Sequence, residues 1–368
     1  MRPAFTTTRS ALAFALLLTG LMTLPAFVAH TGWLKRNEVY PAIPWKCGPF
    51  IWAQQKIFSE TNDVDIAFVG SSLIWGDINP TYVQKELSLR LGHEAEVFTL
   101  GWPWPGFDAV YIVARDLLEH RRVRMLVIYD EAHGNTTSPD VPHIQSARWF
   151  RIGENDEALS GLTWSAKLSL YGSALLGMPR SLLSLLRPNL TESAASHRTN
   201  VWDTPYHAES FAAQLGGMRA HLAFNNSPNF KPFHPTPIAT PADAVIYSDA
   251  TRDLFRFTGP VTPPFRSHFL HKLAALCETH GTQLVIFHPP GFGERTREKI
   301  LEREVWPDVL GTNVWLVGIP GAKLFAGISA EDMKKLYYNK GHLNANGQDF
   351  FTPLITPALL EIYAAKNK

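Results

Sequence analysis

Cysteine is nearly absent from this chain, which has only Cys47 and Cys277 in 368 residues, neither in a CxxC or zinc-ligand spacing. That excludes a disulfide framework and a zinc module. A single bond between the two stays open in an oxidising compartment, although Cys277 falls on the apolar side of a predicted helix, a setting typical of a buried thiol. An excess of one charge is also missing: 34 Lys and Arg stand against 33 Asp and Glu. Nothing here neutralises a phosphate backbone, so no nucleic-acid partner is expected. The chain has no GxxxxGK[ST] loop and no GxGxxG after a strand, so nucleotide and dinucleotide cofactors have no support. There is no HExxH either, and His268 and His271, three residues apart on a predicted helix, bring no carboxylate partner with them, so no metal is expected. No internal repeat is visible.

What is present is a globular composition, 45% hydrophobic and 18% charged, sufficient for one large core or two modest ones. The N-terminus stands apart from it. Arg2 and Arg9 precede an uncharged, mostly apolar run, Ala11 to Ala29, about the length that crosses a bilayer core. A cleaved signal peptide is the competing reading, but a cut after Ala29 would put Phe27 where a small residue is wanted. Lys35 and Arg36 follow the run, so flanking charge orients it only weakly. Residues 1–33 are therefore read as an anchor or signal segment that meets the membrane through 11–29, and residues 34–368 as the main domain.

From Asp65 the sequence alternates β-branched runs with amphipathic segments, the pattern of a parallel sheet covered by helices, and the α/β class follows. Strand Asp65–Gly70 is followed by a helix that Asn79 caps, Pro80 starts and Gly92 ends. A strand near Ala95 to Leu100 leads through Gly101–Gly106 into a helix around Asp108–His120, and a third strand spans Met125–Tyr129. The stretch from about 134 to 262 reads as an insertion or cap. Thr163–Leu186 in it is strongly apolar and fits burial or a membrane surface, while 228–264 holds eight prolines in 37 residues, which forbids long regular elements. Regularity returns with a helix near Phe265–His280, strands at Gln283–Phe287 and Val314–Val317, and a terminal helix.

Four segments can carry chemistry. Gly70-Ser71-Ser72-Leu73 delivers a serine hydroxyl at a strand end, the edge where ligands of open α/β sheets collect. Gly101–Gly106 offers glycines that let a backbone N–H approach an oxyanion, while its Trp102 and Trp104 and two prolines equally suit a rigid packing loop, the more frequent role, or a sugar-stacking surface. Asp130-Glu-Ala-His-Gly-Asn135 ends the third strand. Asn339-Lys-Gly-His342 lies near the C-terminus, and Asn339 and Asn344 are also ordinary turn residues around a helix start.

In order and spacing these segments resemble the four sequence blocks of SGNH/GDSL hydrolases, over roughly Asp65–Tyr129 and Phe265–Phe351. The chain is closest to the membrane-anchored, exported branch similar to bacterial polysaccharide O-acyltransferases. The resemblance implies a three-layer α/β/α domain with a mostly parallel, flavodoxin-like sheet, displayed in the periplasm or outside the cell. It implies Ser72 as nucleophile, His342 as base, and the backbone N–H groups of Ser72 and Gly101 in an oxyanion hole. The family's oxyanion asparagine is eroded here: Ala132 stands in its place, and Asn135 is the nearby substitute. The family's aspartate three residues before the histidine is replaced by Asn339, which orients an imidazole without adding charge. Asp130 and Asp332 are candidate suppliers of that charge. An acyl ester donor, a cell-envelope carbohydrate acceptor and a membrane acyl-transfer partner are the implied partners, with O-acetyl as the implied group. The alternative is an inactive glycan-binding or scaffold protein using Trp75, Trp102 and Trp104.

Overall fold

The computed structural model describes residues 7–31, 35–43, 50–102, 106–129, 163–165, 167–168, 172, 232–257, 264–302, 307–311 and 313–365. Helix α1 (Thr8–Thr31, 24 residues) contains the apolar run. Its Leu12, Leu16 and Leu17 are all more than half exposed. Side chains of α1 are described only as far as Thr23, and among the described residues no helix is long and apolar enough to cross a membrane. The membrane span expected from sequence is therefore not supported at this level. Helix α2 (Arg36–Ala42) and helix α3 (Phe50–Gln54), which runs on into a π-turn to Ser59, follow.

Strand β1 (Val64–Ser71) is buried along its whole length, as a strand covered on both faces must be. Helices α4 (Ser72–Asp77) and α5 (Pro80–Leu91) lead to β2 (Val97–Trp102), then α6 (Phe107–His120) and β3 (Val123–Tyr129). The caps of α5 are those read from sequence. Asn79 Oδ1 accepts from the backbone N–H groups of Thr81 and Tyr82 at 3.1 and 3.2 Å, and Gly92 ends the helix at φ 71°. Further along the chain come β4 (Val245–Ile246), β5 (Phe255–Phe257), α7 (Pro264–Thr279), β6 (Gln283–His288), β7 (Ile300–Glu302) and β8 (Val314–Gly318). Short helices α8 (Gly321–Leu324) and α9 (Ala330–Met333) precede the hairpin β9 (Tyr337–Asn339) and β10 (His342–Leu343), and α10 (Ala345–Ala365) closes the chain.

The central sheet has the order β2-β1-β3-β6-β8-β4, parallel throughout except for β4. The fold is thus α/β with a mostly parallel sheet. One apolar core joins Val69, Leu100 and Ile286 to α3, α6 and α7; the other joins Phe68, Val127 and Val285 to α4, α5 and α10. Residues 245–246 and 255–257, read from sequence as part of the insertion, instead pair with β8 and β7. Two- and three-residue strands between prolines leave no periodicity to read. Cys277 is buried in α7, and Cys47 lies outside the described residues.

The chain leaves β1 for β2 on one side and then returns to β3 on the other. In sheets of this order the switch point lies between β1 and β3, and its carboxyl edge is where ligands of open α/β sheets collect. Asn79 caps α5 two residues past the end of α4, and Asn79→Ala is expected to lower stability by about 1 kcal/mol in urea unfolding.

Candidate active site

Ser72 occupies the first position of α4, immediately past the end of β1, and is 95% buried at 5% exposure. Gly70 allows the helix to fold back over the strand end, since a Cβ there would stand 2.9 Å from Ile74 Cγ1. The Ser72 hydroxyl meets His342 Nε2 at 2.9 Å, across 270 residues of sequence. On the other side of the ring, Nδ1 lies 2.8 Å from Asn339 Oδ1.

The same oxygen accepts from the backbone N–H groups of Gly341 (2.9 Å) and His342 (3.1 Å). Those two donors identify the atom as the amide oxygen, because the flipped amide would set its NH₂ against two N–H groups. Nδ1 consequently carries the ring hydrogen and donates it, leaving Nε2 with a lone pair aimed at the Ser72 O–H. This is the tautomer a general base needs. In the serine-protease triad, exchanging carboxylate for amide costs about 10⁴ in turnover because the wrong tautomer results. Here the backbone of the hairpin prevents that error, and what is missing is only the negative charge.

Of the two carboxylates considered from sequence, the described one, Asp332, does not occupy the place of the missing charge. Asp332 lies on α9, partly exposed, with its oxygens taken by Ser329 Oγ (2.8 Å) and Lys335 Nζ (2.6 Å). The Lys335 contact, with that of Ser329, holds its carboxyl below the ordinary range. Asp332 is therefore corrected to a surface ion pair. Asp130 and Asn135 fall outside the described residues, as does Trp104. Gly101 does not open a turn but is the penultimate residue of β2, paired with Gly70 because β1 and β2 both run on to Ser71 and Trp102. It stands one strand over from the serine at the same edge. Trp102, which suited either packing or sugar stacking, is 2% exposed and stacks on Phe50 with ring centres 6.2 Å apart, the packing role. His271 faces Asp308 at 3.5 Å on the protein surface.

Sequence reading missed a polar seam beneath the pair. Asp77, at the end of α4, accepts from the backbone N–H of Leu343 at 2.8 Å. Gln348 Nε2 donates to Ile78 O (2.8 Å), and the Asn79 N–H donates to Thr352 Oγ1 (3.0 Å). The available signal was the i, i+4 spacing of Gln348, Thr352 and Thr356 on one face of an otherwise apolar helix, polar residues that must find partners when buried. Asn344 is a helix cap: its Oδ1 accepts from Gly347 N at 3.1 Å.

A second buried polar group lies close by. His288, at the end of β6, meets Glu294 Oε2 at 2.8 Å and Glu302 Oε1 at 3.4 Å. The loop holding Glu294 touches the hairpin, through Phe292 N–H to Lys340 O (3.1 Å) and through the Tyr337 hydroxyl, which donates to Pro290 O. Among the described residues no group of His, Cys, Asp and Glu is arranged to hold a metal ion.

No family model, curated protein or solved structure matches this chain.

Burial pushes the Asp77 carboxyl well above its ordinary value, opposed by the Leu343 N–H. Burial also pushes Tyr337 up, helped by the nearby Asp77 and Glu294 carboxylates. The folded protein thus binds the Asp77 proton more tightly than the unfolded chain does. The resulting stability is complete below the unfolded carboxylate range and is lost as pH rises through the folded value. Asp77→Asn is expected to gain stability relative to the native protein as pH is raised above the ordinary carboxylate range, measured by urea unfolding at successive pH values.

Proposed function

We propose that the protein is a serine esterase or O-acyltransferase working through an acyl-Ser72 intermediate. The observation that carries this reading is the 2.9 Å contact of Ser72 Oγ with a His342 ring whose tautomer is set by Asn339. In the forward step the Ser72 hydroxyl oxygen bonds to the ester carbonyl carbon while its proton moves to Nε2. The resemblance assigns the backbone N–H groups of Ser72 and Gly101 to the developing oxyanion. The ester C–O bond then breaks and the leaving alkoxide takes the proton from Nε2. An acceptor hydroxyl, or water, repeats the sequence and releases the acyl group.

The order β2-β1-β3-β6-β8 supports an SGNH-like, flavodoxin-like three-layer domain, since it matches the doubly wound arrangement that the sequence blocks resemble. That resemblance supplies the finer terms: a small acyl group, O-acetyl, exchanged with a cell-envelope glycan on the periplasmic or outer side, with a membrane partner as a source of acyl groups. The exposed leucines of α1 support anchoring through residues 11–29. The glycan-binding alternative loses one of its three aromatics, because Trp102 is buried.

Intact-mass measurement after incubation with an activated acetyl ester tests the chemistry. One acetyl group on Ser72, absent from Ser72→Ala and His342→Ala, is the expected result; the same spectrum from all three proteins would remove the enzyme reading. Because the amide already orients the imidazole, Asn339→Asp should add charge without disturbing geometry. Its turnover of a small activated ester should rise about tenfold, or about 1.4 kcal/mol of transition-state stabilisation. Full-length protein is expected in the membrane fraction, and a mature N-terminus near residue 30 found by mass spectrometry would contradict the anchor.

A further inference from the structure

Helix α4 is six residues long, with Ser72 at its first position and Asp77 at its last. Both ends bond to consecutive residues of β10: Ser72 Oγ to the His342 ring at 2.9 Å, and Asp77 Oδ1 to the Leu343 N–H at 2.8 Å. One hydrogen bond is a hinge, about which the imidazole could swing away from the hydroxyl. Two bonds separated by the length of a helix, about 7.5 Å at 1.5 Å per residue, fix both distance and rotation. The residues that follow on each side are joined as well, Ile78 to Gln348 and Asn79 to Thr352.

We propose that Asp77 is a positioning residue that holds the His342 imidazole in register with the Ser72 hydroxyl through the backbone amide of Leu343. The inference rests on the Ser72–His342 reading given above. Asp77 acts as an acceptor, not as the missing charge of the site. Asp77 is 2% exposed, and burial favours the neutral form of its carboxyl, which suits an acceptor. The group that meets His342 Nδ1 is Asn339. An amide oxygen can do the same work as that carboxyl oxygen, and an alkyl group of similar size cannot.

The test uses the full-length chain in a mild detergent with two readouts: the rate at which a fluorophosphonate labels Ser72, and hydrogen exchange at the Leu343 amide. In labelling, the Ser72 oxygen bonds to phosphorus as fluoride leaves and the proton passes to His342. Asp77→Leu is expected to label at least tenfold more slowly, given that a misplacement of about 1 Å can cost about 10² in rate. It should also exchange the Leu343 amide faster. Asp77→Asn should restore labelling to within about threefold of the native rate, by the same geometric reasoning, and restore amide protection. Native labelling in Asp77→Leu, or loss in Asp77→Asn as large as in Asp77→Leu, overturns the proposal. Should Asp77→Leu fail to fold, Asp77→Asn decides alone, and labelling below about a tenth of the native rate overturns it. If native protein is not labelled at Ser72, the acyl-transfer reading falls. The seam is then judged by amide exchange, where equal protection of Leu343 in the native, Asn and Leu proteins overturns it.

Discussion

Ser72 and His342 are separated by 270 residues, and their 2.9 Å contact exists only while the terminal helix lies closed against the first βα unit of the sheet. Everything at the carboxyl edge follows from that closure. The apolar side of α10, with Phe351, Ile355 and Leu359 fully buried, packs on the sheet face formed by Phe68, Val127 and Val285. Gly347 lets the helix start lie close against the hairpin, since a Cβ there would fall 2.1 Å from Leu336 O. The hairpin β9–β10 is carried to the serine by this helix, being too short to hold a position of its own.

Within the hairpin, one oxygen does the orienting. Asn339 Oδ1 accepts from Gly341 N, His342 N and His342 Nδ1, so the turn and the ring are fixed by a single atom. A carboxylate in its place would accept the same three donors and also stabilise a positive ring. The substitution therefore separates two duties that an aspartate combines, orientation and charge, and retains the first. On the acyl-transfer reading, this retained orientation is what holds the base in its working tautomer.

The parts of the fold that were legible in the sequence are those governed by local rules. The strand at 64–71, the cap at Asn79 and the stop at Gly92 lie where β-branched runs, side-chain acceptors and a glycine place them. Ser72, Asn339 and His342 were also legible, because each sits at a strand end or tight turn with a short motif around it. What escaped depends on partners far away in sequence. Gly101 was read as a turn because its strand is extended by pairing with Gly70, a property of the neighbour and not of the segment. Trp102 suited a packing loop or a sugar-stacking surface equally, and the contact that decides for packing is with Phe50 of α3, which no local pattern reveals. Asp77 has no motif, since its meaning lies in an amide 266 residues further on.

Buried polar groups gather at this edge more than the packing of an α/β core requires. Asp77, His288 and Glu302 are each at most 3% exposed, in a region where apolar residues of the same volume would cost less to bury. Apolar contact draws α10, the hairpin and the loop at Glu294 together, but it has no preferred direction. Hydrogen bonds do, and a serine and an imidazole must meet within about 0.5 Å of a working geometry. Asp77 aligns β10 from below, while His288 and Glu294 brace the loop that touches Lys340 and Tyr337 from the side. On the acyl-transfer reading, the desolvation borne by these groups is spent on direction: hydrophobic burial assembles the edge, and the polar bonds aim it.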